Sequence, residues 1–466
     1  MYRPLVLVTA LMMATATASQ CQQRSKAATR AAPDSALVRE LADLLRETAR
    51  LPGLSIAAMR DDRVAFAAGF GTRGLGGDAR VDSTTQFGAA SLSKVVTATA
   101  ALLLHQRGAL NLDLPVRRWV PSFPDITDGI TPRRLAAHLS GLPHYGPGSM
   151  ASTARFEEAL GSLDVFARAP RIGVPGERQE YSTHGITLLS AIMEVADGRP
   201  ILALMDEEVF DRLDMPNTGP MRKEHPSASM ASPHEHVKGA PVLLPARREM
   251  SYSWAGAGLR TTPADLVRMS RAYFNGFLHD STVRLAFREQ RAADGSATGV
   301  GFIWRVGVDW RGQPIAHHAG VNDGVRGALV LFLHDSTSIA VQVNVRWTSS
   351  IESTAMVFAE ALFGSDHRSR ELKVTGRYRG TFDGEPASGT WSIAGDTGSI
   401  SVPESFGRLL DRDGMRVDRF PVRAIREGVY AIVTPWGLYR LALTRNADVT
   451  GETMVASRVW KLASEP

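Results

Sequence analysis

Ser91-Leu-Ser-Lys94 opens a long apolar run, Val95-Val-Thr-Ala-Thr-Ala-Ala-Leu-Leu-Leu104. A helix starting at the serine places Lys94 one turn on, on the same face as Ser91. Serine is a weak nucleophile until a neighbouring base takes its proton, and a desolvated lysine can be that base. The first N–H groups of such a helix lack partners and favour negative charge developing beside the serine. S-x-x-K alone is a common chance match. Here the helix that follows is apolar on nearly every side, so it must be buried and Lys94 is kept from solvent. Gly108 is the expected stop.

Other elements must position this pair. Ala36–Arg50 has helical apolar spacing, with Asp34 or Ser35 as its cap. Leu54–Arg60 and Val64–Phe70 around Asp61-Asp62 predict a β-hairpin. Thr262-Pro263-Ala264-Asp265 starts a helix, with Asp265 read as part of the cap. Gly301–Val308, Gly327–Leu333 and Ser338–Val345 predict strands, and Ile351–Phe363 a helix ending at Gly364. This order predicts an α/β (α+β) sandwich, an antiparallel sheet gathering strands from both ends of residues 35–364, flanked by helices and a helical subdomain. After the polar break at 365–370, short strand-like runs at Thr375–Phe382, Gly398–Val402, Val429–Val433, Leu438–Leu443 and Val459–Leu462 predict a small all-β, barrel-like domain over 371–466.

The chain has 466 residues, a net charge of +5 and 44% hydrophobic residues, so two globular domains are expected rather than extensive disorder. Basic residues are scattered, with no Lys/Arg run that would suit nucleic acid. Arg3, the apolar stretch to about Met13 and Ala14-Thr-Ala-Thr-Ala18 form the pattern of a signal peptide over 1–18, with a tether over 19–34. This predicts a periplasmic or secreted protein with no transmembrane segment in the mature chain. Cys21 is the only cysteine, which excludes an internal disulfide. It leaves acylation as a lipoprotein open, although Gln20 occupies a position where a small residue is wanted. The twelve histidines include no H-x-x-x-H or H-E-x-x-H pattern, so neither a metal nor another cofactor is expected.

Phe87-Gly-Ala-Ala-Ser91-Leu-Ser-Lys94 resembles the F-x-x-G-S-x-S-K block of the serine β-lactamase and penicillin-binding-protein superfamily, particularly its class C branch. Ile130-Thr-Pro-Arg-Arg-Leu-Ala-Ala-His138-Leu-Ser140-Gly141-Leu142-Pro143 is similar to I-T-x-x-x-L-L-x-H-T-S-G-L-P, and Pro175-Gly-Glu-Arg-Gln-Glu-Tyr181-Ser182-Thr183 to P-G-x-x-F-x-Y-S-N. Trp254-Ala-Gly256-Ala-Gly258-Leu259 resembles the A-G-G-L loop, and His318-Ala319-Gly320 the H-x-G form of the third element.

The resemblance implies a secreted serine hydrolase that forms an acyl-enzyme on an ester or amide. Peptidase or amidase and esterase activity rank level, above efficient β-lactam hydrolysis. Ser91 would be the nucleophile. Either Lys94 or Tyr181 would be the principal base, with Tyr181 relaying a proton to the leaving group. Ser91 and Val321 would pair their N–H groups around the oxyanion beside Gly320. His318 would lie beside Tyr181 and tune its proton affinity or contact substrate; if it titrates in the site, activity would show a limb near neutral pH. Thr183 stands where the family has a substrate-contacting asparagine, and His318 and Ala319 replace the lysine and threonine of K-T-G. These departures leave a second possibility, a catalytically impaired binder of peptides or β-lactams. His138 and Ser140-Gly141 are expected to brace a loop, His184 and His317 to be structural or at the surface, and Trp254 to line the cleft or fill the core. The partner implied is a small molecule or peptide; oligomeric state is unspecified.

Overall fold

A computed structural model describes residues 33–464 apart from 78, 125–128, 147–148, 150–151, 224–226, 245–247, 365–372, 383, 413, 444–448 and 456–457. The proposed signal peptide, Cys21, nearly all of the tether and the break at 365–370 lie outside the described residues.

Asp34 accepts a hydrogen bond from Leu37 N at 2.9 Å and starts α1 (Ser35–Thr48). The apolar stripe of this helix, Leu37, Leu41 and Leu45 among its members, is buried. The hairpin follows as β1 (Gly53–Arg60) and β2 (Arg63–Gly71), turning at Asp61-Asp62 with positive φ at both residues.

Ser91 does not begin the α-helix. It sits in a 3-10 turn, Ala90–Leu92, and α2 runs Ser93–Gln106. Ala90 has φ +47°, a left-handed conformation for a non-glycine residue, so the chain bends sharply at the residue before the serine.

Ser182 caps α3 (Thr183–Asp197) by accepting from Gly185 N at 2.9 Å. Gly198, at φ +83°, ends that helix. Thr262 caps α4 (Pro263–Met269), with proline at its first turn. Asp265 takes part in the cap only by donating its N–H to the Thr262 hydroxyl; its carboxylate instead accepts from Asn217 N, the Thr218 hydroxyl and Arg268.

Four strands complete the main sheet: β3 (Arg305–Val308), β4 (Pro314–Asn322), β5 (Val325–Phe332) and β6 (Thr337–Val343). The order is β2-β1-β6-β5-β4-β3, antiparallel throughout. Alternation sorts its side chains into two cores. Ala57, Leu329, Leu331 and Ala340 pack with α2 and α3. Ile56, Ala328, Val330 and Val341 pack with α1 and α5 (Ile351–Phe363).

The run Gly301–Val308 is a strand only from Arg305. Phe302 N and Ile303 N donate instead to the carbonyls of Ala286 and Ala136, and Ile303 turns through φ +71°. An unbroken apolar run does not distinguish a buried loop from a strand.

Beyond α5 the chain forms β7 (Lys373–Phe382), β8 (Glu385–Ala394), β9 (Thr397–Ser401), β10 (Arg419–Arg426), β11 (Val429–Thr434), β12 (Gly437–Leu443), β13 (Val449–Val455) and β14 (Arg458–Ser464). The pairing of β7 with β14 closes these eight strands into a barrel. Its interior holds Tyr378, Trp391, Phe406, Phe420 and Trp436. Val429, Ala431, Val433 and Leu438 instead join the core beneath α1 and α5, so barrel and sandwich share one apolar seam. Glu360 of α5 crosses that seam to Arg426 at 3.0 Å and Arg440 at 2.9 Å. Among the described residues no helix is long and apolar enough to cross a membrane.

Candidate active site

The turn at Ala90 presents Ser91 to a cleft of about 470 Å³ while Lys94 points into the protein and is 0% exposed. Lys94 Nζ donates to Ser91 Oγ at 3.1 Å, Thr183 Oγ1 at 3.0 Å and the Gly256 carbonyl at 2.7 Å. Burial, reinforced by the positive charge of Arg305, holds its pKa well below the usual lysine value. Tyr181 lines the same cleft as Ser91, and its ring lies 5.0 Å from Lys94 Nζ. Burial pushes the Tyr181 phenol above its ordinary range, a shift that its approach to Ser91 opposes. Burial thus disfavours the charged form of both side chains, the ammonium of Lys94 and the phenolate of Tyr181.

His138 has φ +57°. Its carbonyl accepts from Glu180 N at 2.8 Å and its Nδ1 from Ser182 N at 3.2 Å, which pins the chain on both sides of Tyr181. That is the bracing role expected of it. Burial, helped by the charge of Lys94, lowers the His138 pKa to about 3. His184 is buried and stacks on Phe166 with ring centroids 4.3 Å apart. Trp254 is also buried and donates to the Phe156 carbonyl, so it fills the core.

The third element forms β4. β3 pairs with β4 only as far as Arg305↔His317, leaving Ala319 to Asn322 along the cleft beside Ser91 with no strand paired on that side. Gly320 is required there, because a Cβ would lie 2.5 Å from the Ala89 carbonyl and 3.2 Å from Leu92 N, in the turn that carries Ser91. Val321 is 49% exposed and lines the cleft.

Two expectations change. His318 is only 1% exposed; its Nδ1 donates to the Ala319 carbonyl, and its ring is 6.3 Å from that of Tyr181. Burial, with the charges of Arg305 and Lys94, lowers its pKa well below the ordinary histidine value, so it is neutral at neutral pH and gives no titration there. Thr183, expected at the substrate, is fully buried, and its hydroxyl accepts from Lys94. The shorter side chain still reaches the lysine, but the cleft wall is made by other residues. His317, on the opposite face of the strand from His318, lies 4.0 Å from Glu352.

The sequence reading missed several cleft residues. His144 and Tyr145 follow directly on Leu142-Pro143, and two polar aromatics after a rigid proline were the available signal. Arg248 pairs with Asp323, and Arg305 lies 3.7 Å from Glu352. These partners are far apart in sequence, so nothing local announced them.

The sandwich with its cleft at the 3-10 turn is the fold of the penicillin-binding-protein and β-lactamase superfamily. The chain belongs to the beta-lactamase family, whose model matches residues 36–361. It is 25% identical over 308 residues to the mitochondrial serine beta-lactamase-like protein LACTB of Homo sapiens, covering 51% of this chain and 56% of that protein. The chain thus spans little more than half the length of that curated relative. Esterase EstB of Burkholderia gladioli is 29% identical over 321 residues, covering 59% of this chain and 80% of that one. A crystal structure of D-amino acid amidase from Ochrobactrum anthropi SV3 matches 67% of this chain and 91% of its own at 22% identity, with a TM-score of 0.58. An octameric penicillin-binding protein homologue from Pyrococcus abyssi aligns over 92% of this chain and all of its own at 18% identity and TM-score 0.58, so its likeness extends into the barrel.

Proposed function

We propose that this protein is a serine hydrolase that cleaves an ester or amide through an acyl-enzyme on Ser91. The observation that carries this reading is the 3.1 Å hydrogen bond between a fully buried Lys94 Nζ and a Ser91 that opens onto the cleft. Uncharged Lys94 takes the Ser91 proton as Oγ attacks the substrate carbonyl. The N–H groups of Ser91 and Val321 hold the oxyanion beside Gly320. The Tyr181 phenol passes a proton to the leaving alkoxide or amine as the carbon–heteroatom bond breaks, and is reprotonated from Lys94. Water then attacks the acyl-enzyme, giving up its proton to the same pair, and the free acid leaves as Ser91 regains its hydrogen. His318 serves as a neutral packing partner of Tyr181, and Thr183 as a holder of Lys94.

The substrate is a small molecule or a peptide. The relatives named esterase, D-amino acid amidase and penicillin-binding protein support both esters and amides as the class. The leader pattern over 1–18 supports action in the periplasm or outside the cell. The division into a hydrolase domain over 35–364 and a barrel domain over 371–466 belongs to the same reading.

A panel of p-nitrophenyl esters, D-amino acid amides and penicillins, run on the wild type and Ser91→Ala, tests it. Turnover of at least one class that Ser91→Ala abolishes is expected. Turnover that survives Ser91→Ala, or no turnover of any class, contradicts it, and the latter favours a binder that has lost catalysis.

A further inference from the structure

α3 begins in an unusual way: two successive N–H groups, those of Ser182 and Thr183, each donate to an imidazole Nδ1 at 3.2 Å, from His138 and His144 respectively. An Nδ1 that accepts carries no hydrogen, so each ring is neutral with its proton on Nε2. The two rings differ in where they lie. His138 is buried, whereas His144 lines the cleft with Ser91 and Tyr181. Thr183, whose N–H His144 holds, is also the residue whose hydroxyl receives Lys94 Nζ. Two hydrogen bonds through Thr183, one to its backbone N–H and one to its hydroxyl, therefore join His144 in the cleft wall to Lys94.

We propose that His144 is a positioning residue for Lys94, holding Thr183 through its backbone N–H so that the amine stays in register with Ser91. The inference rests on the serine-hydrolase reading but concerns a different residue and a different contact. The groups facing His144 are the rings of Tyr145, at 4.2 Å between centroids, and of Tyr181, at 5.0 Å, with Lys94 acting on it through its charge. No carboxylate is among them. Desolvation, partial because the residue stays exposed at the cleft, and the charge of Lys94 lower the His144 pKa, which favours the neutral, accepting ring. Protonating Nδ1 would set two donors against each other and release Thr183.

The test compares His144→Phe, which keeps a ring but has no acceptor, with His144→Asn, whose amide oxygen can take the Thr183 N–H. In the full chain, with a p-nitrophenyl ester as probe, His144→Phe is expected to lower kcat up to roughly fivefold with little change in KM, no more than the loss of the Thr183 hydroxyl that it positions. His144→Asn is expected to recover most of that loss, and both variants should still take up a fluorophosphonate at Ser91, more slowly for His144→Phe. An unchanged kcat in His144→Phe, no recovery in His144→Asn, or a change confined to KM overturns the proposal. Wild-type protein that takes no fluorophosphonate defeats the serine-hydrolase reading itself, and this inference with it. Long-range proton–nitrogen NMR of the wild type is independent of how the variants fold. The Nε2–H tautomer of His144 is expected, and a proton on Nδ1 overturns the proposal.

Discussion

Thr183 Oγ1 accepts a hydrogen bond from Lys94 Nζ at 3.0 Å, and neither side chain is exposed. The family pattern has an asparagine where this chain has threonine, and an asparagine can serve lysine and substrate together. Here the two duties are separated: the hydroxyl serves the lysine, and Tyr145 rather than Thr183 lines the cleft. Thr183→Val keeps the shape and removes the acceptor. It should lower kcat roughly fivefold, the value of about 1 kcal/mol for one hydrogen bond. Steady-state kinetics on an active ester would read it, with KM expected to stay near that of the wild type.

The pH dependence follows from Lys94 rather than from His318. With its pKa held below the usual value, Lys94 gains its proton only as pH falls, so kcat/KM should rise with pH along one acid-side limb. Burial lowers the His318 pKa as well, so His318 is not expected to set that limb, and His318→Gln should leave it where it is. Stability moves the same way. Between its folded pKa and the ordinary 10.5, the unfolded chain holds one more proton on Lys94 than the folded one, so this group's contribution to unfolding free energy rises with pH up to 10.5. Lys94→Met should flatten that slope in denaturant titrations at several pH values.

The seam between sandwich and barrel depends on Glu360, 6% exposed by its side chain, which answers both Arg426 and Arg440. Glu360→Gln leaves two guanidinium groups short of a counter-charge. A loss of about 2 kcal/mol is expected, below that of a fully buried pair because both arginines keep some contact with water. No described barrel residue lines the cleft, so activity per folded molecule should persist. Chemical denaturation paired with active-site titration separates the two effects. Cutting the chain near residue 368 would uncover the apolar surface that α1 and α5 share with Val429, Ala431, Val433 and Leu438, and the remainder should aggregate.

The sequence carried the local features well. α5 spans Ile351–Phe363 as its apolar spacing and Gly364 indicate, and Asp34 and Thr262 cap their helices because side-chain oxygens near free N–H groups are a short-range matter. Strands β8 and β10 were less visible. Each alternates cleanly, with Ala387, Trp391 and Ile393 inward in one and Phe420, Val422 and Ala424 inward in the other, but Pro386 and Pro421 mask the pattern. The site divides in the same way. Ser91 and Lys94 are one turn apart and could be read together. The burial of Thr183 and His318, and the pairing of Arg248 with Asp323, come from packing between segments far apart in the chain, which no local spacing encodes.

The most direct test of the account is the intact mass of the protein after exposure to a fluorophosphonate, followed by peptide mapping. A single adduct on Ser91, absent from Ser91→Ala and slowed many-fold in Lys94→Met, is the expected result. An adduct on another residue, or a Ser91 that reacts equally fast without the Lys94 amine, would contradict it.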